Sequence, residues 1–554
     1  MNFDQLYNKA ESGSGFFNDK SCTRIYISAF ADIRVLQDIS NALSIQTKKN
    51  AVRAEIILAG SSGYSDIEPI IKVEKPARPP VLFRSATPET AKTIVEEFIM
   101  YDRPVKDITL GSSGDEKIDG IPNINELPLF SLQNRVALRN CGNIDPDKID
   151  HYILNGKGFS GLAKALNMAS AEVISELRKA GLRGKGGGGY ITADKWQTCN
   201  EAQGDEKYVV CNAVDDDPDS QTARLLLESD PYSVLEGMFI AAYAVGASRC
   251  YICLNSRNPS TLEQVKKALK QMTEYGLVGE NILDSGFSCD IKIHEEVDSL
   301  VSGEETVLIR SIEGNQPMPY LRTVDPATSG IEGYPTLVNN LETLACVSAI
   351  FQNSAEWYAG IGTEQSPGTK IITISGDAEH KYTVEVPFGT KLENVVNDVG
   401  GGTSSGKDIK AVRFGGPTGK FFDVDSLDIK IDFESMKEAE TILGSGGVKV
   451  YDDNMCAVKT MRDLVDYLHD QSCGKCVFCR EGSFQIFEIL KDISENNSRQ
   501  GDLDLVTELC EAMKEGSICG LGMNIPNPVL SSINLFGNDY EAHIQNKKCP
   551  AGQL

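Results

Sequence analysis

The stretch Leu182-Arg-Gly-Lys-Gly-Gly-Gly-Gly-Tyr-Ile-Thr-Ala-Asp-Lys-Trp196 lies in the first half of the chain and gives the first indication of its fold. It follows a predicted helix over residues 171–180 and precedes a predicted strand over residues 207–211. Glycines at Gly184 and at 186–189 let backbone N–H groups approach a phosphate or a flat ring closely. The spacing matches neither the dinucleotide-binding fingerprint nor the P-loop, so a mobile loop remains an equally good interpretation.

Residues 159–350 continue this alternation and predict an α/β core, with a further strand over 249–254 and a helix over 232–245. Two polar turns stand out within it. Cys211-Asn-Ala-Val-Asp-Asp-Asp-Pro-Asp219 follows a predicted strand, and Gly303-Glu-Glu-Thr306 precedes a predicted helix. Acidic runs are usually solvated surface, but a glycine and a hydroxyl at a helix start indicate a specified turn.

The flanking segments predict a multidomain chain of α/β and α parts. From the order of strand, helix and turn signals we predict a thioredoxin-like domain over residues 21–101, an extended linker over 102–158, a β-grasp-like module of the SLBB type over 368–433, and a helical bundle over 450–545. A chain of 554 residues is too long for one hydrophobic core, which agrees with this division.

Composition excludes several classes of function. The net charge of -25 and pI near 4.7 argue against nucleic acid or an anionic membrane as the main partner. The chain start has no basic and apolar leader pattern, and no stretch predicts a membrane span. Fifteen cysteines, several of them isolated in apolar runs, are typical of buried thiols in a reducing compartment. We therefore expect a cytoplasmic protein.

The clearest chemical signature is Ser472-Cys-Gly-Lys-Cys-Val-Phe-Cys-Arg-Glu-Gly482. Two-residue gaps let Cys473, Cys476 and Cys479 converge on one small object, as cysteines do around a [4Fe-4S] cluster, and Cys519 supplies a remote fourth thiolate. Structural zinc usually takes two separated Cys-x2-Cys or Cys/His pairs, and no second pair follows here. The spacing favours iron–sulfur over zinc or unligated cysteines, which both stay open.

These motifs occur together in the order known from one family. The series consists of Leu182–Trp196, residues 212–224, Gly303–Thr306, residues 335–344, the turn Phe414-Gly-Gly-Pro417, and Ser472–Gly482. It resembles the NADH-binding flavoprotein subunit of respiratory complex I, and more closely the β subunit of electron-bifurcating hydrogenases and transhydrogenases. The resemblance covers about residues 20–549 and favours the [4Fe-4S] assignment.

The resemblance implies FMN, a [4Fe-4S] cluster and NAD(P)H as substrate. It places FMN against Gly184, Gly186, Lys195, Asn212, Gly303, Glu304, Asn339 and Asn340, and it gives Glu305 and Asp217 the role of orienting the dinucleotide. Tyr190 and Arg322 keep an aromatic ring and a positive charge at the same site. FMN suits this role because it exchanges electrons one or two at a time. Implied partners are other redox subunits, iron–sulfur and thioredoxin-like [2Fe-2S] proteins, in a larger and possibly bifurcating complex.

The N-terminal segment departs from the family. The second loop that carries [2Fe-2S] ligands in hydrogenase β subunits reads Gly60-Ser-Ser-Gly-Tyr-Ser65 here, with serine at both ligand positions. The first loop, residues 27–32, has no cysteine either. We predict that this domain holds no cluster. Cys549 corresponds to the point where such β subunits continue into a ferredoxin domain, and we predict that it is unligated within this chain.

The dinucleotide site departs as well. The turn after Asn212 lacks both family glycines, and Asp325 stands where the family has an aromatic residue on the nicotinamide face. We therefore predict weak NAD(P)H binding, with Asp216 and Asp219 repelling the pyrophosphate. Two functions compete: an electron-transfer subunit that oxidises NAD(P)H, and a degenerate paralogue that serves as scaffold or relay without dinucleotide turnover. A zinc-stabilised scaffold is a third hypothesis.

Overall fold

Three β-sheets, each formed by its own stretch of sequence, organise the part of the chain that the structure describes. The computed structural model describes residues 1–15, 17, 19, 21–30, 33–114, 118–214, 217–297 and 299–553. Asp32 of the first N-terminal loop and Asp215 and Asp216 of the acidic turn lie outside these residues.

The first sheet lies near the N-terminus, after a helix at Phe3–Gly13. Its strands are β1 (Thr23–Ser28), β2 (Ala54–Ala59), β3 (Ile70–Glu74), β4 (Val81–Phe83) and β5 (Thr109–Ser112), in the order β2-β1-β3-β4-β5. β1 and β2 are parallel, and the other pairs are antiparallel. Helices Ile33–Lys49 and Pro88–Thr93, the second continued by a π-helical turn at Ile94–Ile99, contribute to its apolar core.

The segment predicted as an extended linker, 102–158, is instead part of the folded body. Its strand β5 extends the first sheet, and it also contains helices Pro128–Ser131 and Ile149–Leu154. The buried Glu385 carboxylate accepts the backbone N–H groups of Ala137 at 2.9 Å and Leu138 at 2.8 Å. The linker was predicted from the polar composition of this segment. The prediction was wrong because strand pairing and hydrogen bonding to a distant carboxylate leave no periodic pattern in the local sequence.

The second sheet forms the central part of the molecule. Its strands β6 (Tyr208–Ala213), β7 (Arg249–Asn255), β8 (Asp290–Glu296) and β9 (Thr336–Asn340) are all parallel, in the order β8-β7-β6-β9. Its surrounding helices are Ser160–Leu166, Ser170–Ala180, Thr192–Glu201, Thr222–Ser229, Pro231–Val245, Pro259–Glu274, Glu305–Ile312, Leu341–Gln352 and Ala355–Ala359. Open parallel sheets bind ligands beyond the carboxyl ends of their strands, which here are the ends at Ala213 and Asn340.

The third sheet follows in sequence and is longer than the predicted module over 368–433. Strands β10 (Thr369–Gly376), β11 (Thr383–Pro387), β12 (Ile409–Phe414), β13 (Lys420–Phe422) and β14 (Gly447–Asp452) pair in the order β11-β10-β14-β12-β13. A π-helical turn at Asn394–Val399 and helix Phe433–Glu438 complete it. β14 occupies the centre and pairs in parallel with β10, a long-range contact that the local sequence pattern does not show.

The C-terminal part is a set of helices, in agreement with its periodicity. They are Ala457–Asp470, Val477–Ser494, Asp502–Gly516, Gly520–Asn524, Pro526–Leu535 and Gly537–Asn546. Their apolar faces share a core with residues of β12 and β13. Among the helices of the described residues, none has the length and apolar character needed to cross a lipid bilayer.

Candidate functional site

A cavity of about 330 Å³ opens where the second sheet, the third sheet and the C-terminal helices meet. Six of the residues predicted to bind ligand line it: Gly186, Asn212, Asp217, Gly303, Glu304 and Asn340. Asn212 and Asn340 are neighbours in register on the parallel strands β6 and β9, so both reach the same carboxyl edge. The cavity therefore lies where an α/β sheet usually binds its ligand.

The glycine-rich loop forms one wall of this cavity. A Cβ atom at Gly186 would lie 3.5 Å from Cβ of Asn340, and one at Gly187 would lie 3.1 Å from Cα of Gly444. Gly187 also has a φ of +104°, a conformation that other residues rarely adopt. Across the cavity the Asn212 side-chain amide donates to the Gly303 carbonyl at 2.8 Å. Because side chains here would fill the space, the residues present fit a flat, phosphate-bearing group such as FMN.

Two glutamates and two cations form an ion network beside the cavity. Arg322 contacts Glu304 at 2.5 Å and Glu305 at 3.0 Å, and Lys195 also pairs with Glu305. Glu304 caps helix Glu305–Ile312 by accepting the backbone N–H groups of Thr306 at 2.8 Å and Val307 at 3.1 Å. Each carboxylate is thus matched by a cation, which lowers the electrostatic cost of placing acids beside an anionic ligand.

Three other predicted residues, Gly184, Tyr190 and Asn339, are not among the described residues that line the cavity. The backbone N–H of Gly184 donates to the Tyr190 carbonyl at 2.8 Å and closes the glycine loop. The Tyr190 ring is 74% exposed, so it is free to stack on a ligand. Asn339 is buried, and its amide oxygen accepts the Trp196 indole N–H at 2.8 Å. Gly184 and Asn339 therefore support the wall from behind.

Asp219 of the acidic turn does not face the cavity, although it was predicted to repel the dinucleotide's pyrophosphate. This carboxylate is buried and forms an ion pair with Arg413 of β12, with Lys449 a further 3.7 Å contact. It points into the protein, so the predicted repulsion of a pyrophosphate by Asp219 is wrong. Asp217, in contrast, lines the cavity and accepts a hydrogen bond from the Ser445 hydroxyl. Asp325 is exposed and caps a turn by accepting the Ala327 N–H at 2.8 Å.

The four predicted cluster ligands come together in the structure. Cys479 and Cys519 are buried, whereas Cys473 and Cys476 are partly exposed. Burial raises the pKa of the Cys479 thiol to about 11; the Ser472 hydroxyl lowers it, and the charges of Cys476, Cys519 and Cys473 raise it. Cys519 packs with Cys473, and a Cβ atom added to Gly522, three residues after Cys519, would lie 3.1 Å from Cβ of Cys479. Cys476 is the residue before the helix that carries Cys479. Cysteines bind metal as thiolates, so a bound cation would release these protons.

The cysteine group adjoins the cavity directly. Cys519 is the residue before helix Gly520–Asn524, and Gly520, Leu521 and Asn524 of that helix line the cavity. On its other side, Cys519 packs with Val301 and Val307, which flank the Gly303–Thr306 turn. The two candidate redox sites therefore share one wall.

The sequence did not assign two groups of residues that the structure brings together. The turn with Gly415 and Pro417 was recognised only as a family motif, and with Gly444 and Ser445 it brings the third sheet into the cavity wall. Separately, the ligand atoms of Cys456, His543 and Cys549 are buried and all within 4.8 Å of one another. Two thiols and an imidazole are donors that zinc takes, and the prediction that Cys549 is unligated within this chain stays a prediction. These three residues follow no recognisable ligand spacing, and only the close approach of the helices reveals them.

Comparisons with known proteins agree with this geometry. Residues 177–349 match the family model of the Nuo51 FMN-binding domain, and residues 459–543 match the NADH-ubiquinone oxidoreductase-F iron-sulfur binding region. The NADP-reducing hydrogenase subunit HndC of Solidesulfovibrio fructosivorans is 45% identical over 419 residues, covering 76% of this chain and 85% of that protein.

A second relative is an F subunit of NADH-quinone oxidoreductase in Rhizobium meliloti (strain 1021), 34% identical over 75% of this chain and 99% of that protein. Among solved structures, the air-oxidised NAD+-reducing [NiFe]-hydrogenase matches with a TM-score of 0.65 at 24% identity, over 98% of this chain and 91% of that one, which supports the fold. The chain therefore belongs to the family of NADH-binding FMN and iron–sulfur subunits of complex I-like and hydrogenase complexes, which transfer electrons between NAD(P)H, FMN and a [4Fe-4S] cluster.

Proposed function

We propose that FMN binds in the cavity against Gly186, Asn212, Gly303 and Asn340, and that Cys473, Cys476, Cys479 and Cys519 ligate the [4Fe-4S] cluster. The observation that carries this assignment is the wall shared by the two sites. Helix Gly520–Asn524 begins directly after Cys519 and lines the cavity. A short distance between centres is what electron transfer requires, and this wall supplies it.

Each side chain at the cavity has a defined part in this proposal. FMN, when bound, accepts two electrons from a nicotinamide and releases them singly to an iron–sulfur cluster. Lys195 and Arg322 neutralise Glu304 and Glu305, so that Glu305 is held as a hydrogen-bond acceptor for the dinucleotide and Glu304 keeps its place beside FMN at the start of the helix. The exposed Tyr190 ring on the glycine loop offers a stacking surface, and Asp217 is held by a hydrogen bond from Ser445.

For the rest of the chain we propose the division inferred from the sequence, with bounds adjusted to the observed sheets. The first sheet has the mixed order of a thioredoxin-like domain, and the third sheet has the mixed pairing of a β-grasp-like module. We propose that the first domain serves in docking and holds no cluster, because serine is a poor iron ligand.

Electrons would leave through another protein of the assembly in this proposal. Cys473 and Cys476 are the partly exposed members of the cysteine group, so a cluster held by the four cysteines would be nearest to solvent on the side of these two residues. The named relatives are subunits, which supports assembly with a partner, and we propose that this partner carries its own iron–sulfur centre.

The test is reduction of the purified full-length chain. We expect FMN to be released on denaturation, about four iron atoms per chain, and flavin bleaching on titration with NADH or NADPH. A chain that retains iron but neither binds FMN nor reacts with either nucleotide would support the scaffold hypothesis instead. Zinc in place of iron would contradict the cluster assignment.

A further inference from the structure

A buried ion pair joins the acidic turn of the second sheet to the third sheet. The Asp219 carboxylate contacts the Arg413 guanidinium, and the two side chains are 5% and 3% exposed. Lys449 of β14 lies 3.7 Å from the same carboxylate. Asp219 is one of the positions at which this chain departs from the family turn, so the pair merits a specific explanation.

The pair lies directly behind the cavity wall. Asp217 and Ser220, on either side of Asp219, both line the cavity. A Cβ atom added to Gly447 would come within 2.9 Å of Cβ of Asp219, so the turn rests against the backbone of β14. The backbone N–H of Gln221 donates to the Thr373 hydroxyl of β10 at 3.2 Å, which attaches the end of the turn to the same sheet.

Stability alone does not account for such a pair. Desolvation of two charges offsets most of their attraction, and apolar or neutral side chains of similar volume often replace a buried pair at no cost. What a carboxylate and a guanidinium add is a directional contact of fixed geometry. Such a contact sets the position of the residues beside it, here Asp217 and Ser220.

We propose that Asp219 is a positioning residue that, through Arg413, holds the turn at 217–220 in place as part of the FMN-binding wall. This inference rests on the proposed function, because it assumes that FMN occupies the cavity. In this proposal the Asp219 carboxylate, which is absent from the family turn, attaches the turn to the third sheet and does not face the dinucleotide.

The same strand offers a matched control. Lys410, also on β12, pairs with Asp539 of helix Gly537–Asn546 at 2.5 Å, and these side chains are 16% and 17% exposed. This second pair also joins the third sheet to another part of the molecule, but neither residue lines the FMN cavity. The control pair is partly buried, so any general effect of losing an ion pair between the third sheet and another part of the molecule will appear in both variants.

The experiment compares two double variants of the full-length chain: Asp219→Asn with Arg413→Met, and Lys410→Met with Asp539→Asn. Removing both partners avoids an unpaired buried charge. FMN affinity is measured by quenching of flavin fluorescence, with iron content and melting temperature as controls. We expect the Asp219/Arg413 variant to bind FMN about tenfold more weakly and the control variant to stay within about twofold of the wild type.

A third variant keeps the test decisive if the first does not fold. Arg413→Lys keeps the charge but loses the forked geometry, and we expect FMN affinity to fall about threefold at unchanged iron content. Wild-type FMN affinity in Arg413→Lys, or equal effects of the two double variants, would overturn the proposal. Failure of the wild type itself to bind FMN would contradict the proposed function and not this inference.

Discussion

At the scale of single residues, Cys519 has the most informative role, because it joins the cysteine group to the cavity. We expect Cys519→Ser to lose most of the approximately four iron atoms per chain, since serine is a poor ligand for iron. Iron analysis and the visible absorption of the cluster measure this. Cys510, a buried cysteine outside the group, provides the control as Cys510→Ser. Full iron content in Cys519→Ser would show that another residue is the fourth ligand.

A variant at Cys549 tests whether this cysteine takes part in binding the iron–sulfur cluster. Its sulfur lies with Cys456 and His543 and not with the four predicted ligands, so Cys549→Ala should leave iron content unchanged. Zinc is measured in the same digest, because the trio has donors that zinc accepts. Loss of iron in Cys549→Ala would mean that this cysteine serves a cluster.

Asp325 bears on dinucleotide affinity. The family has an aromatic residue here, and a lost stacking contact is worth about 1–3 kcal/mol by analogy with base stacking. We expect Asp325→Phe to strengthen NADH binding, measured by flavin bleaching. Asp325→Asn keeps the acceptor for the Ala327 N–H and removes only the charge, so it separates stacking from electrostatics. Tight NADH reduction of the wild type, unaffected by Asp325→Phe, would disprove the prediction.

At the scale of elements, the first sheet shows how a loop without cluster ligands is held. The Glu68 carboxylate accepts the N–H of Phe30 at 2.8 Å, the N–H of Ser62 at 2.8 Å and the hydroxyl of Ser61 at 2.7 Å. One carboxylate thus ties together the two loops that carry cluster ligands in hydrogenase β subunits. Burial is the main cause that raises the pKa of Glu68, and its hydrogen bonds lower it.

Replacing this carboxylate should loosen the first sheet without changing metal content. Glu68→Gln turns one acceptor oxygen into a donor that faces another N–H, and leaving a buried donor unpaired costs about 1–3 kcal/mol. Thermal unfolding measures the loss, and iron should stay at about four atoms per chain.

The same variant tests the pH dependence of stability. Because the pKa of Glu68 is raised in the folded state, the folded protein loses stability as the pH rises from the unfolded-state pKa of this group through its folded-state pKa. Glu68→Gln should remove this pH dependence. A [2Fe-2S] signal from this domain would contradict the interpretation.

At the scale of the whole molecule, we expect the two proposed redox sites to depend on each other through helix Gly520–Asn524. This helix is held at Cys519 on one side and lines the cavity on the other. Removing the iron with an oxidant and a chelator should therefore speed FMN release several-fold, on the order of tenfold. Chelator without oxidant is the control. FMN release at the same rate before and after iron removal would show that the cavity wall is independent of the cluster.

The sequence by itself determined much of the chemistry. The spacing of Cys473, Cys476 and Cys479 and the order of the motifs led to the family and its cofactors, which the comparisons confirm. Two of the four central strands, β6 and β7, were predicted to within about two residues, because hydrophobic periodicity is a local property, whereas β8 and β9 were not predicted. The family resemblance carried by these motifs also identified six residues that line the cavity, because the motifs are short and can be recognised without any tertiary contact.

Only the tertiary structure decided where the charges of the acidic turn point and which segments complete the site. Asp219 looked like a ligand-facing acid, but burial beside Arg413, nearly two hundred residues later in the chain, turned it into an internal attachment. Contacts between distant segments also bring Ser445 and helix Gly520–Asn524 into the cavity wall. They likewise place Cys549 beside Cys456 and His543. The physical reason is that ion pairing, burial and wall formation depend on contacts between distant segments, and such contacts leave no periodic signal in the sequence.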